Sequence, residues 1–318
     1  MSKRIFTFGT KKKRTVRKSH IIPRFYLAKF TNPDGKLWVY AKDQNARVSV
    51  PEREAVERDF YECSSANNNK QNNVEEWLSL VEDSASNIFA KVADDCALQG
   101  KERAAWAIFV SMLFLRTRKV RQQMTEKALK VMSNKLRAPE HLRDLQHDLL
   151  QKGRFIFMES LQQSAEKVIA QIESDPAFLQ AKSLETTGLR LAKSMAKKCW
   201  HILHAPEGAF FVTSDCPVMT AKVDAQGQAQ LGYGFDVENV AVMLPITPDK
   251  LFVASPPHFE WRKTLQLNGL FTANLSVVRF AHKNVYAHSY DKSIEELVNL
   301  EIDQLIFGQN AFTDPSAD

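Results

Sequence analysis

The feature that most constrains this chain is a change of periodicity, made twice. Residues 74–204 carry apolar side chains at mixed three- and four-residue spacings, the signature of amphipathic helix. Before and after that block the pattern shortens to strand-like runs punctuated by turn signals, "NPDG" at 32–35 and "TPD" at 247–249. Strands, then many helices, then strands with helices point to an α+β fold. The expectation is a predominantly helical chain with a small mixed or antiparallel sheet, in which N-terminal and C-terminal strands meet. Residues 1–18 read as a flexible basic arm and 19–318 as a single domain. That domain has a helical middle over about 74–204, a β-containing part over about 205–290 and a terminal helix over about 293–307.

Finer expectations follow from local chemistry. Pro23 restricts Ile22 to extended backbone and suits the first turn of a short helix. "KLWVYAK", "ARVSV" and "ERDFYEC" read as strands and residues 64–73 as a polar loop. Trp77, Leu80, Val81, Ile88, Phe89 and Val92 form one apolar stripe. Residues 101–137 are predicted as one long helix, apolar in its first half and basic in its second, stopped or restarted at Pro139. Further helices are expected over about 140–172 and 177–204. Two strands are expected in "GAFFVTSDCPVMTAKV", broken at "SDCP", and two in "ENVAVMLPITPDKLFVAS". The prolines at 256–257 are expected to open a helical region. "LFTANLSVVRFA" then reads as helix, "KNVYAHS" as strand, and "SIEELVNLEIDQLIF" as a helix capped by Ser293.

The chain is 44% hydrophobic and 25% charged, values of a chain that buries a core. It has no apolar run of about 18 residues, so no membrane span is predicted. Its basic N-terminus lacks the apolar segment and cleavage site of a secretory signal. The four cysteines, Cys63, Cys96, Cys199 and Cys216, show neither C-x-x-C spacing nor a disulfide framework, so a reducing compartment, the cytoplasm, is expected. The net charge of +6 is concentrated. "KKKRTVRK" (11–18) has six basic residues, and residues 116–137 have eight against Glu126. Such clusters either attract a polyanion, nucleic acid foremost, or form a solvated tail and helix face. Neither G-x-x-x-x-G-K-S/T nor G-x-G-x-x-G is present, so nucleotide chemistry of those types has no support.

The blocks "SHIIPRFYLAKFT" and "GKLWVYAKD" carry His20, Pro23, Tyr26, Leu27 and Phe30, then Trp38, Val39, Tyr40 and Lys42. In these residues the chain resembles the bacterial and fungal family catalogued as domain of unknown function 4238. "FLRTRKVR", "FFVTSDCPV" and "LPITPDKLF" are similar to that family's later blocks, with Cys216 standing where the family usually has Asn. The resemblance covers roughly residues 20–290. It implies a site near these motifs without implying a reaction.

His20 is the first candidate for that site, because an imidazole titrates near neutrality; the plainer alternative is a helix-capping or core histidine. Asp215 ends a strand before a turn, where a carboxylate serves as base, metal ligand or partner of His20, or else closes an Asx-turn. Ser214 lacks the G-x-S-x-G setting of a nucleophile and is kept as a binding residue. Arg116 emerges from an apolar helix and needs an acceptor: a carboxylate such as Glu82, or a substrate phosphate. Arg24, beside His20, shares that choice. Tyr40 and Lys42 lie two apart on one strand face. His201 and His204, if helical, share a face and with Asp215 would make a two-histidine, one-carboxylate metal set. The aromatics beside basic residues either stack bases or fill the core.

Two functions of different class follow. The first is a hydrolase of a phosphate-bearing substrate, a nuclease foremost, with His20 as general acid/base. Asp215 would orient His20 or hold a divalent metal, while Arg24, Lys42 and Arg116 neutralise phosphate charge. The E-x-K hallmark of many nucleases is not found on a strand. The alternative is a non-catalytic module that binds nucleic acid or another acidic partner through the arm and the basic helix 116–137.

Overall fold

The computed structural model describes residues 18–58, 72–95, 97–174, 176–223, 229–259 and 261–300. It has the α+β order expected, with a run of helices between two groups of strands. The chain enters through β1 (Lys18–His20). Pro23 follows with ψ 136°, and its carbonyl accepts the Tyr26 and Leu27 N–H groups that start α1 (Arg24–Leu27). A 3₁₀ turn (Ala28–Phe30) completes that short helix. β2 (Leu37–Ala41) and β3 (Arg47–Ser49) form a hairpin, and β4 (Val56–Arg58) returns to pair with β1, setting His20 opposite Val56. The arm over 1–17, residues 59–71 and residues 301–307 of the predicted terminal helix lie outside the described residues.

The helical middle begins with α2 (Asn72–Ala93) and α3 (Gly100–Leu115). α3 buries Trp106, Phe109, Val110, Met112, Leu113 and Leu115 between α2 and a later helix, which accounts for its apolar residues on several sides. The single helix predicted over 101–137 is in fact two. Thr117 takes extended backbone (ψ 145°) and its hydroxyl donates to the Phe114 carbonyl at 2.9 Å, closing α3 before α4 (Arg118–Arg137) begins. Local propensity gives no sign of this break, because Arg116 and Thr117 are acceptable helix residues. α5 (Pro139–Gln151) and α6 (Met158–Ser174) pack on α4 around a small separate core of Leu142, Leu161 and Ala165. α7 (Pro176–Ala196) then lies along α3.

Helix was expected to continue to 204, but Cys199–His204 is a strand, β5. Trp200 and Ile202 join the core on the helix side and Leu203 the core on the opposite side, a two-residue alternation masked by the polar His201 and His204. The turn into β5 is fastened by Arg103, which stacks over Trp200 at 3.8 Å and donates to the Ala196 and Lys198 carbonyls.

β5 is the edge of a five-stranded antiparallel sheet ordered β5-β10-β9-β7-β8. It includes β7 (Met219–Val223), β8 (Ala229–Leu231), β9 (Val240–Thr247) and β10 (Lys250–Ser255); β6 (Thr213–Ser214) belongs elsewhere. Val242, Leu244 and Ile246 of β9 face the helices, and Ala241 and Met243 face a second core, so the strand is buried on both sides. Residues 256–259 and 261–266 are irregular rather than helical, and α8 (Leu267–Phe280) covers the second core. β11 (Asn284–Ala287) completes a four-stranded antiparallel sheet, β3-β2-β11-β6, that joins N-terminal and C-terminal strands as expected. α9 (Lys292–Asn299) is capped by Asp291, not Ser293: the Asp291 carboxylate accepts the Ser293 N–H at 2.8 Å and its hydroxyl at 2.7 Å. No helix among the described residues is long and apolar enough to cross a membrane.

One buried phenol joins these parts. The Tyr26 hydroxyl, fully buried, donates to the Pro245 carbonyl of β9 at 2.6 Å and lies 2.6 Å from the Thr213 Oγ1 of β6. A phenol has one hydrogen and a carbonyl accepts alone, so Thr213 is the donor to Tyr26. Tyr26→Phe is expected to lower unfolding free energy by about 1–3 kcal/mol, since it leaves a buried carbonyl and a buried hydroxyl without their partner. Thr213→Val, which removes a donor to an oxygen that keeps its own hydrogen bond, is expected to cost less. Urea unfolding of both variants checks the order.

Candidate functional site

His20 ends β1 beside the 51–55 turn. Its ring hydrogen-bonds the Glu52 backbone, while Nε2 is buried with no partner among the described residues. A bond to a backbone carbonyl therefore uses Nδ1–H and leaves the lone pair on Nε2. Burial lowers the proton affinity of this ring below the ordinary 6.5. The Arg24 and Arg116 charges act in the same direction, and the Glu52 bond and the Glu82 charge oppose them. The imidazole is thus held neutral, in one tautomer, with its basic nitrogen unoccupied.

The turn that carries Glu52 is itself braced by a buried acid. Glu54, 4% exposed, accepts both Arg47 Nη1 at 2.7 Å and Nη2 at 3.1 Å, and Ser49 Oγ at 2.6 Å. Ala55 has φ 49° there, and its carbonyl takes the Ile21 N–H at 2.8 Å, locking the turn to the segment after His20. Arg24 pairs with the Glu52 side chain over the same turn. Sequence reasoning overlooked Glu54, Arg47 and Ser49; the signal present was an acidic residue within a proline turn two residues from a strand.

Arg116 comes from the break between α3 and α4 and is 3% exposed. Its Nη1 donates to Glu82 Oε1 of α2 at 2.5 Å. Its Nε and Nη2 are buried and have no acceptor among the described residues. Those two nitrogens form the side-on fork of a guanidinium, the edge that grips carboxylate or phosphate in two parallel bonds. The structure therefore brings His20, Arg24 and Arg116 into one cluster with Glu82, close enough for each charge to act on the imidazole.

The remaining sequence candidates are engaged elsewhere. The Asp215 carboxylate accepts the N–H groups of His282 at 2.8 Å, Lys283 at 2.9 Å and Asn284 at 3.1 Å, fixing the link from α8 to β11. Burial pushes its carboxyl up, against the pull of those three donors, and the groups that act on His20 do not include it. Ser214 Oγ accepts the Cys216 N–H at 3.1 Å within the same turn. Tyr40 donates to the Ser289 carbonyl at 3.2 Å and accepts the Asp291 N–H at 2.8 Å, clasping the start of α9; burial pushes its phenol up to about 12. Lys42 lies one residue past the end of β2 and is exposed. His201 and His204 sit three apart on a strand, so they face opposite sides and do not form the shared face that a helix would give. The described residues contain no group of three His, Cys, Asp or Glu side chains that could hold a metal ion.

Fold and geometry together define an α+β protein in which a neutral histidine and a half-paired buried arginine share one charge cluster. The chain belongs to the family described as protein of unknown function (DUF4238), whose model matches residues 18–293. No curated protein and no solved structure matches it.

The division between the two motif residues is measurable. Asp215→Ala is expected to lower stability by about 1–3 kcal/mol, the cost of leaving several backbone donors unpaired. It is expected to leave the NMR titration of His20 in place. A displaced His20 titration in that variant would bring the two residues back into one site.

Proposed function

We propose that the protein is a hydrolase acting on a phosphate-bearing substrate, with His20 as general acid/base. The observation that carries this is the buried, unpartnered Nε2 of a neutral histidine beside an arginine with two unpartnered donors. In this proposal Nε2 takes the proton of the attacking water and later returns it to the leaving oxygen. The Nε/Nη2 edge of Arg116 holds two phosphoryl oxygens, where charge gathers in the transition state. Glu82 orients that edge, and Arg24 adds positive potential. Asp215 is given no part in the chemistry. A nuclease is the finer form of the proposal, favoured by the net charge of +6. The cytoplasm fits the two free thiols among the described residues, Cys199 and Cys216.

The test is turnover of 4-nitrophenyl phosphate, bis(4-nitrophenyl) phosphate and labelled oligonucleotides by the full chain, with and without Mg²⁺. His20→Ala is expected to reduce kcat/KM by about 10²–10⁴ while the protein stays folded. Because burial lowers the His20 proton affinity, the base is lost only as pH falls below the ordinary 6.5, so the acid limb of kcat/KM lies below that value. Equal rates in the wild type and His20→Ala would sink the proposal.

A second proposal, a binding module without catalysis, is favoured by the outer surface of the helical middle. Lys127, Lys130 and Lys135 of α4 are exposed. Phe155 and Phe157, 65% and 68% exposed, flank the α5–α6 link beside Lys152 and Arg154, an arrangement suited to stacking bases near phosphates. Lys127→Glu with Lys130→Glu, or removal of residues 1–17, is expected to reduce the slope of log K against log salt for a single-stranded oligonucleotide. An unchanged slope in both variants removes this second proposal.

A further inference from the structure

We infer that the side-on edge of Arg116, together with His20 Nε2, is a site for a terminal phosphate monoester rather than for a phosphodiester inside a chain. The inference deepens the hydrolase proposal by naming a phosphate monoester as its substrate in place of the nuclease form, and it rests on that proposal for turnover alone.

Several strongly buried polar side chains are satisfied from within the fold, while others, among them Trp106 Nε1 and Thr220 Oγ1, have a single atom without a partner among the described residues. Asn274, 5% exposed, accepts the Val212 N–H at 3.0 Å and donates to the Phe210 carbonyl at 2.9 Å, and Glu54 has three donors. Arg116 stands apart as a buried charged group with one nitrogen on Glu82 and two donors, Nε and Nη2, without an acceptor among the described residues. Leaving such donors dry is costly. A ligand with two acceptor oxygens spaced for the fork removes that cost.

The charge balance then selects the ligand. Arg116 pairs with Glu82 and Arg24 with Glu52, so the cluster is already near neutral. It suits a monoanion better than a dianion. His20 Nε2 is an acceptor, so it needs a donor. A phosphate monoester monoanion supplies all three functions: two oxygens for the fork and one P–O–H for the imidazole. A diester or a carboxylate has the two oxygens but no hydroxyl, and leaves Nε2 dry. A terminal monoester projects from the end of its chain, whereas an internal diester is flanked by chain on both sides. A polynucleotide would be taken by its phosphorylated end.

The test compares inorganic phosphate, methyl phosphate, dimethyl phosphate and acetate by calorimetry near pH 6 on the full chain, with ¹⁵N spectra of the histidines alongside. Phosphate and methyl phosphate are expected to bind and to move the His20 Nε2 resonance. Dimethyl phosphate and acetate are expected to bind at least about tenfold more weakly, and Arg116→Lys, which keeps the charge toward Glu82 but lacks the fork, to weaken methyl phosphate by a similar factor. If Arg116→Lys does not fold, the wild-type spectra decide. Dimethyl phosphate binding as well as methyl phosphate, or a His20 resonance unmoved at saturating phosphate, overturns the inference. Monoester binding without turnover keeps this site and removes the hydrolase. Turnover of the diester without monoester preference does the reverse.

Discussion

The Tyr26 hydroxyl is the interaction on which the placement of the N-terminal segment depends. β1 and the first helix lie at one end of the chain, and β6 and β9 near the other. This hydroxyl joins three sequence blocks at once: "HIIPRFYL" gives the phenol, "FFVTSDCP" the threonine hydroxyl, and "MLPITPDK" the carbonyl. Each bond lies in a dry environment, where a satisfied polar network specifies one arrangement and an unsatisfied one is heavily penalised. Burial pushes the phenol well above its ordinary range, so it remains a neutral donor. With Tyr26 fixed, Pro23 and the backbone leading back to His20 are fixed as well.

The second requirement is a place for a buried guanidinium, and the break at Thr117 provides it. On the other side of the same break, the thiol of Cys216 meets the Thr117 side chain and the Lys119 backbone. The "FLRTRK" junction is therefore walled by the "SDCP" turn, while its arginine serves the Glu82 cluster. Burial and the neighbouring Asp215 push the Cys216 thiol up to about 12, so it packs as a small apolar group and is not a nucleophile.

Much of this was legible in the sequence, and the limits were physical. The sheet that joins both chain ends could be read because "KLWVYAK" and "KNVYAHS" have strong strand propensity between clear turns. Glu82 could be named as a partner of Arg116 because a charge leaving an apolar helix demands one. The five-stranded sheet was less visible: β5 carries two histidines that break its alternation, and the pairing that makes it a strand comes from β10, about fifty residues away. The helix break at Thr117 and the cap at Asp291 were missed for a related reason. Each depends on what a side chain touches, and several choices of residue looked acceptable locally. The brace of Glu54 by Arg47 and Ser49 joins residues near in sequence, but no periodicity marks it.

His20 and Asp215 illustrate the same limit at the site. Both precede a proline turn by a few residues and both carry ionisable groups, so sequence treats them alike. The fold separates them by counting partners. Asp215 has three backbone donors for its two oxygens, the condition of a carboxylate that holds a loop. His20 has one partner for two ring nitrogens, and the arginine acting on it has one acceptor for three nitrogens. Consistent satisfaction of buried polar groups is the rule in a folded chain, and departures concentrate where something else is meant to bind. Among the departures in the described residues, those of His20 and Arg116 share one charge cluster, brought together across a span of nearly a hundred residues.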